Sequence, residues 1–479
     1  MTAREELDDY GYPLRPPTRR RLRKLLIQLS KRTLLTAIYL VLGSYGLLLR
    51  CARLVRHYQP LDPQHFKPRR ILIIRLDLIG DLVLSLTLVH ALKRTYPEAE
   101  IDLLAMPSTA PIAGADPALA QLLTYDPNIW RRPKALVRGS NWREAAALLR
   151  RLRARHYDLA VSVFGPWAAL LALLSGARRR VGFAGEGYPG FMTDPVPGRH
   201  WQPGDRRHEV DYCLELARAA GVNVRADDRF PRLSIDPEAR REVKMLLKRL
   251  DPALATDEQA EATGLPSRPL VVCHVASHNG YAKRWPIPYW ARLLAGLAQE
   301  AQAHLVLTGA SGDLPIIQAI LQRLEEERST AVLNLAGQTT LPQLAALMQM
   351  ADLVISGDSG PMHIAAATGV PLIAIHGPTD PALSGPVSPQ ATIVRSGLWC
   401  SPCYDARSPA DCRFHTVQCM KEVTVEQVLR LALRRLRERQ PAPPSASPVL
   451  VRPSTSASPE QPDHKEDQPN DLSRGGQQA

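Results

Sequence analysis

Aromatic residues are scarce in this sequence. Phenylalanine, tyrosine and tryptophan together make up 5% of the 479 residues, and none follows Phe414. Basic side chains are spread over the termini and helices without interleaved aromatics, so a surface that stacks nucleic-acid bases is not expected. We therefore predict no nucleic-acid partner.

Acidic residues are also in deficit. There are 47 Asp and Glu against 60 Lys and Arg, which gives a formal net charge of +13. A basic balance of this size favours an anionic partner such as a phosphate or an acidic lipid. Hydrophobic residues reach 45%, which excludes a wholly disordered chain, and the length predicts about three structural units.

Long apolar runs are nearly absent, which excludes a polytopic membrane protein. Residues 1–21 are polar, basic and proline-containing, and are predicted to be disordered. Residues 22–60 form an apolar and amphipathic helical segment with an uncharged stretch from Thr33 to Leu49. At about 1.5 Å per residue this stretch reaches about 25 Å, against about 30 Å for a bilayer core.

Three readings of that segment stay open: a short membrane span, a helix lying in the membrane interface, and a helix packed against the protein. No small-residue cleavage site follows it, so a cleaved signal peptide is not expected. At the other end, residues 440–479 are mostly Pro, Ser, Ala, Asp, Glu and Gln. They have too little apolar surface to offset ordering entropy, so disorder is predicted.

Between these ends the pattern is that of a parallel α/β protein. Arg70–Arg75 reads as a strand, Leu76–Asp81 as a loop, Leu82–Thr95 as a helix and Ile101–Leu104 as the next strand. This alternation of strands and helices becomes weak over residues 251–268 and then resumes. We predict two doubly wound, Rossmann-like domains, 69–250 and 269–439, joined by a linker and facing a central cleft where ligands bind.

Two loops at predicted strand ends carry candidate chemistry. Gly80 and Asp81 open a helix, where the carboxylate is either functional or simply complements the helix dipole. In the second half, the loop after the strand Leu270–Val275 carries Ser277 and Lys283. A hydroxyl and a cation there suit a diphosphate, whereas the alternative is a solvated surface lysine.

A third segment, ADLVISGDSGPMHIAAATGVPLIAIHGPT, is the most informative. A strand ends at Ser356, a turn follows, and Pro361 suits the first turn of a helix. The free N–H groups of such a helix bind phosphate readily. Asp358 would then take sugar hydroxyls, and His363 would either reach an anionic oxygen or bond locally.

The chain resembles the glycosyltransferase family that contains the ADP-heptose:lipopolysaccharide heptosyltransferases, family nine. The resemblance covers roughly residues 69–438 and rests on ILIIRLDLIGDLVLSLTLVHALKRTYP, AKRWPIPYWARLL and ADLVISGDSGPMHIAAATGVPLIAIHGPTDP. It implies a GT-B fold and inverting transfer without a bound metal. No cofactor is implied beyond the nucleotide-diphospho-sugar donor, with ADP-heptose expected.

The resemblance also implies roles for single residues. Asp81 corresponds to the carboxylate that takes the proton from the acceptor hydroxyl, and Lys283 to the lysine that binds the donor diphosphate. The matching donor-binding turn and helix consist of Asp358, Ser359, Gly360, Met362 and His363. Ser277 is the only aliphatic hydroxyl between His274 and Lys283, and Asp313 matches an acidic residue that would contact ribose or adenine.

Two further groups are candidates. Cys400, Cys403, Cys412 and Cys419 have spacings that suit a structural zinc, a disulfide or free thiols. Arg178 begins a triplet of arginines that leads into a strand, and we predict it on the acceptor side, although a solvated face is the alternative.

These features predict a bacterial glycosyltransferase at the cytoplasmic face of the inner membrane. Its partners would be a nucleotide-sugar, a lipopolysaccharide-like or other lipid-linked glycan acceptor, and the membrane surface. A non-catalytic glycan-binding or scaffold protein of the same fold is one alternative, and a nucleotide-sugar epimerase is another. An epimerase would turn over the donor without an acceptor.

Overall fold

The structure is a computed structural model, and it describes residues 41–49, 51, 65–188, 190–200, 207–250, 268–277, 280–326, 332–404, 412 and 414–438. The ends that were predicted to be disordered, residues 1–21 and 440–479, lie outside these residues. Most of the predicted apolar segment 22–60 and of the predicted linker 251–268 also lies outside them. In the described part, no helix combines the length and the apolar character needed to cross a bilayer.

The first half is a parallel sheet of six strands with the order β3-β2-β1-β4-β5-β6. Its strands are β1 (Arg70–Arg75), β2 (Glu100–Ala105), β3 (Leu119–Thr124), β4 (Leu159–Ser162), β5 (Arg179–Phe183) and β6 (Asp194–Val196). The longer helices that connect them are α1 (Ile79–Thr95), α2 (Gly139–Ala154), α3 (Gly165–Leu174) and α4 (Glu209–Ala219).

The second half repeats this arrangement in the order β12-β11-β10-β7-β8-β9. Its strands are β7 (Leu270–His274), β8 (His304–Thr308), β9 (Val332–Asn334), β10 (Leu353–Gly357), β11 (Leu372–His376) and β12 (Ala391–Arg395). The longer helices here are α5 (Pro237–Leu250), α6 (Ile287–Ala301), α7 (Leu314–Glu326), α8 (Leu341–Met350), α9 (Gly360–Thr368) and α10 (Val425–Arg437). Helix α5 packs against α8.

The strands form because runs of aliphatic residues are buried on both sheet faces. In β1, Ile71 and Ile73 join one apolar cluster while Leu72 and Ile74 join another, and all four are inaccessible to solvent. Such two-sided burial is typical of parallel sheets covered by helices. The prediction of two doubly wound Rossmann-like halves is confirmed.

Sequence patterns missed or shifted some elements. The strand β3 and the helix α2 were not predicted, because Leu119–Thr124 is half-exposed and α2 is dominated by arginine and alanine. Helix α1 begins at Ile79 rather than Leu82. Gly80 and Asp81 therefore belong to the first helical turn and not to the preceding loop.

In each sheet, successive strands are first added on one side of the first strand. The direction of addition then reverses once, so that the remaining strands lie on its other side. The reversal lies between β1 and β4 in the first sheet and between β7 and β10 in the second. Ligands of doubly wound sheets bind outside the carboxyl ends of the strands at this point. The candidate residues follow β1, β7 and β10, so both halves present them at their switch points.

Candidate active site

A buried arginine organises the first half of the site. Arg75 ends β1 and is nearly inaccessible to solvent. Its Nη2 lies 3.4 Å from Asp81 Oδ1 and 3.5 Å from Asp77 Oδ2, while its Nη1 lies 2.9 Å from Glu209 Oε1. One guanidinium therefore holds three carboxylates, one of which is the candidate base.

Glu209 fixes that guanidinium from the far side. It begins α4 and is almost fully buried, and His200 Nε2 lies 3.5 Å from the same Oε1 atom. Burial alone would raise the pKa of Glu209, but Arg75 and His200 outweigh it and hold this pKa at about 2. Glu209 thus stays ionised and keeps Arg75 in place.

For Asp81, burial outweighs the neighbouring positive charge, which is the opposite of the result for Glu209. Its side chain is 30% exposed, yet desolvation by the surrounding protein raises its pKa to about 8. Arg75 opposes this rise, while Asp77 and Glu209 add to it. A base whose pKa lies near the working pH combines sufficient ionisation with sufficient proton affinity. Lys283 of the second half is close enough to lower this pKa.

The second half of the site contains a buried ion pair. Lys283 Nζ lies 2.9 Å from Asp358 Oδ2, and both side chains are largely buried. Burial opposes ionisation of Asp358, but Lys283, His376 and a hydrogen bond from Thr379 hold its pKa below the ordinary value. Ser277 donates a 3.1 Å hydrogen bond to the backbone oxygen of Asp358 and supports the turn.

Tyr404 covers the Lys283 ammonium, with Nζ 4.2 Å from the ring centroid. The loop that carries Tyr404 is attached to the end of β11, because the N–H groups of Cys403 and Tyr404 both donate 2.8 Å hydrogen bonds to the Pro378 oxygen. Lys283 is thus held by a carboxylate on one side and by an aromatic face on another, which restricts where its charge can point.

Helix α9 points its N-terminus toward this region. Ser359 is the residue before the helix, and its hydroxyl bonds within the turn to Gly357 O and Ser356 Oγ rather than capping the helix. His363 is buried, and burial lowers its pKa to about 4. The imidazole is therefore neutral, and its buried Nδ1 has no hydrogen-bond partner in the described part of the structure.

The two halves meet at two glycines. A Cβ on Gly80 would lie 2.6 Å from His363 Cδ2, and a Cβ on Gly360 would lie 3.1 Å from the Cβ of Ile79. The first turns of α1 and α9 therefore touch, and only residues without a Cβ permit this approach. Because Asp81 follows Gly80, the candidate base lies beside the candidate phosphate site.

Two predicted residues, Met362 and Arg178, lie away from the cleft, and a third, Asp313, is buried just after β8. Met362 is fully buried in the apolar core, so its side chain packs the helix instead of lining the cleft. Asp313 is buried after β8, where it accepts a 2.8 Å hydrogen bond from the Ala310 N–H. Arg178 precedes β5 and is exposed at the amino edge of the sheet, opposite the edge that carries Asp81.

The four clustered cysteines lie close together. Burial raises the pKa of Cys419 to about 11, and the other three thiols contribute to this shift. No disulfide joins any of them, and among the described residues no group of three or more His, Cys, Asp or Glu side chains is arranged to hold a metal. A structural zinc therefore stays a prediction.

The residues that position the candidate base, instead of contacting a substrate, were not predicted from the sequence. Arg75, Glu209 and His200 are far apart in sequence, and no local motif links them. His376, at the end of β11, is also missing from the predicted residues. It is buried next to Asp358, and its Nε2 lacks a partner among the described residues. The one available signal was an arginine at the end of an otherwise apolar strand.

Comparison with known proteins places this site in context. Residues 145–413 match the model of glycosyltransferase family 9 (heptosyltransferase). The lipooligosaccharide heptosyltransferase 2 of Haemophilus influenzae is 30% identical over 335 residues, which cover 68% of this chain and 88% of that protein. The lipopolysaccharide heptosyltransferase 2 of Escherichia coli is 27% identical with the same coverage.

Solved structures agree. The E. coli ADP-heptose lps heptosyltransferase II superposes with a TM-score of 0.58 at 25% identity, covering 77% of this chain and 98% of the other. The family 9 glycosyltransferase from Veillonella parvula gives a TM-score of 0.59 at 20% identity, covering 78% and 98%. At this lower identity the match supports the fold alone.

The buried Arg75–Glu209 pair generates a stability prediction. Arg75→Met leaves the Glu209 carboxylate buried without its guanidinium, so we expect a loss of about 3–5 kcal/mol in the free energy of unfolding. Arg75→Met/Glu209→Met removes both charges and should be more stable than the single variant. Urea unfolding followed by circular dichroism measures both, and additive losses in the double variant would contradict the pairing.

Proposed function

The chain belongs to glycosyltransferase family 9, and from this premise we propose that it is the enzyme that transfers heptose from ADP-heptose to a growing lipopolysaccharide core, with inversion at the anomeric carbon. The printed activities of its relatives support the donor and the acceptor class. The observation that carries the proposal is the contact between Gly80 and His363, which brings Asp81 to the Lys283–Asp358 pair.

In the proposed reaction, Asp81 accepts the proton of an acceptor hydroxyl. The hydroxyl oxygen then bonds to the anomeric carbon as the bond from that carbon to the diphosphate oxygen breaks. The electron pair of the broken bond leaves with ADP, and the proton on Asp81 returns to solvent. Arg75 orients the carboxylate, and a carboxyl group with a raised pKa is well suited to receive the proton.

The second half would stabilise the leaving diphosphate. Lys283 supplies a positive charge and α9 supplies free N–H groups, both in place before charge develops. In the described structure Lys283 is paired with Asp358. A diphosphate would therefore share Lys283 with Asp358, while Asp358 and Asp313 are proposed to contact hydroxyls of the sugar or ribose.

We further propose that the enzyme works at the cytoplasmic face of the bacterial inner membrane, because nucleotide-sugars are cytosolic and the acceptor is anchored in lipid. The helix over residues 41–49 supports membrane contact, since Val41, Leu47 and Leu48 are exposed on it. The four clustered cysteines are proposed to be a structural clip for the loop that presents Tyr404. Neither a scaffold role nor epimerisation is favoured by the family relationship.

Replacing the base tests the proposed chemistry. Asp81→Asn keeps the shape of the side chain but cannot accept the proton, so heptose transfer from ADP-heptose to heptose-deficient lipopolysaccharide should fall at least ~10²-fold. Binding of ADP, measured by calorimetry, should be unchanged, and Asp77→Asn is the matched control that should retain transfer. Undiminished transfer by Asp81→Asn would refute the role. Turnover of ADP-heptose without acceptor would instead indicate an epimerase.

The raised pKa of Asp81 predicts a pH dependence. Only the ionised carboxylate accepts a proton, so kcat/KM should rise with pH, with a single-proton limb centred near pH 8. Asp77 is a like charge that raises this pKa, so in Asp77→Asn the limb should move to lower pH by up to about one unit. An unshifted or oppositely shifted limb would show that another group controls the rate.

Donor binding tests the other half of the site. Lys283→Met removes the ammonium and leaves Asp358 unpaired, so affinity for ADP should fall about 10- to 100-fold, the scale of one charge-assisted hydrogen bond. Lys283→Arg should recover part of it, and Arg292→Gln, an exposed cation on α6, is the neutral control. A panel of ADP, GDP, UDP and dTDP in the same calorimetric assay identifies the nucleotide. Equal affinity in Lys283→Met and the unmodified chain would remove Lys283 from the donor site.

A further inference from the structure

A second exposed apolar surface lies in the first half, between the end of β3 and the first turns of α2. It consists of Leu136, Val137 and Trp142, which are 44%, 84% and 55% exposed. We call it the 131–143 surface, because exposed cations surround it at Arg131, Arg132, Lys134, Arg138 and Arg143. From residue 127 to residue 143 the sequence contains no aspartate or glutamate.

The aromatic residue of this surface is held in place. Trp142 Nε1 donates a 2.9 Å hydrogen bond to Leu136 O, and the Trp142 ring lies 4.7 Å from that of Trp130. Trp130 in turn donates a 2.6 Å hydrogen bond to the Tyr125 hydroxyl. An exposed indole that is fixed in this way pays little conformational entropy when it contacts a partner.

The cations are available to an external anion. In the described part of the chain, none of the five forms an ion pair with a carboxylate. Five cations around exposed tryptophan and aliphatic side chains match the interface of an anionic bilayer, where indole rings settle among the headgroups and basic side chains meet lipid phosphates. Leu136 ends the short helix Pro133–Leu136, Val137 follows it, and Trp142 lies in the first turn of α2, so the exposed apolar side chains lie on two neighbouring helix ends.

Position in the fold supports the same partner. The 131–143 surface follows the carboxyl end of β3, and all strands of this sheet are parallel, so it lies on the sheet edge that also carries Asp81. The helix over residues 41–49 packs Leu42 against the apolar cluster that contains Leu148 and Leu152 of α2. The 41–49 helix and α2, which carries Trp142, thus contribute to one apolar cluster of the first half.

We propose that the 131–143 surface binds the anionic face of a lipid bilayer and turns the Asp81 edge of the first half toward the membrane. Membrane binding there places the catalytic edge next to an acceptor that is anchored in the same bilayer. The functional role of this orientation rests on the proposed function. The binding itself does not, because it is measured without donor or acceptor.

The test uses the full chain and vesicles of phosphatidylcholine with or without phosphatidylglycerol. Val137→Ser/Trp142→Ala and Arg131→Gln/Arg132→Gln/Lys134→Gln should each lower partitioning onto phosphatidylglycerol vesicles at least 10-fold. The matched controls lie in the second half: Trp399→Ala, which is 85% exposed in the unmodified chain, and Arg430→Gln/Arg437→Gln. Both should partition as the unmodified chain does.

Hydrogen exchange distinguishes vesicle binding through this surface from vesicle binding through the N-terminal segment. Vesicles should protect residues 131–143 in the unmodified chain but not in the variants. Transfer to a water-soluble core oligosaccharide should be unchanged in all variants. The proposal is overturned if the variants partition normally, if the controls lose binding equally, or if residues 131–143 gain no protection. Protection by DNA instead of vesicles would also overturn it. Absent transfer with normal vesicle binding would reject the proposed function alone.

Discussion

The close approach of two helix N-termini is the constraint on which the site depends. Gly80 in α1 faces the His363 ring, and Gly360 in α9 faces Ile79. A methyl group at Gly80 would have to displace the His363 ring, which is itself buried. The contact therefore decides whether a carboxylate from one sheet and a cation from the other act on the same molecule.

Each half then tunes its own carboxylate in the opposite direction. Asp81 lies among Asp77, Glu209 and a crowded protein environment, and its pKa rises despite Arg75. Asp358 is also buried, but a lysine at 2.9 Å keeps it ionised. The first carboxylate is thus suited to exchange a proton and the second to hold a charge, although each directly follows a glycine.

Arg75 ends the apolar strand β1 and contributes to this difference between the two carboxylates. A guanidinium at the end of an apolar strand is costly to bury unless carboxylates surround it, and Glu209, Asp77 and Asp81 supply them. Since Glu209 begins α4, the orientation of Asp81 also depends on this helix, whose N-cap His208 bonds to Gly385 O of the second half. The same half carries the 131–143 surface at its catalytic edge, so proton transfer and lipid contact are proposed to share one side of the fold.

Local patterns in the sequence were enough to predict most of the parallel strands and the motif residues, because each arises from neighbours along the chain. Arg70–Arg75 was predicted with its observed limits, and Asp81, Lys283, Asp358 and His363 were identified from segments that follow predicted strands. The weakly apolar β3 and the arginine-rich α2 were missed, since their burial depends on neighbours that are remote in sequence. Only the tertiary structure could bring Glu209 and His200 to Arg75, enclose Met362 and place Arg178 at the far edge of the sheet. Periodicity reports which face of an element is buried, whereas partners and charges meet only when the sheets are assembled.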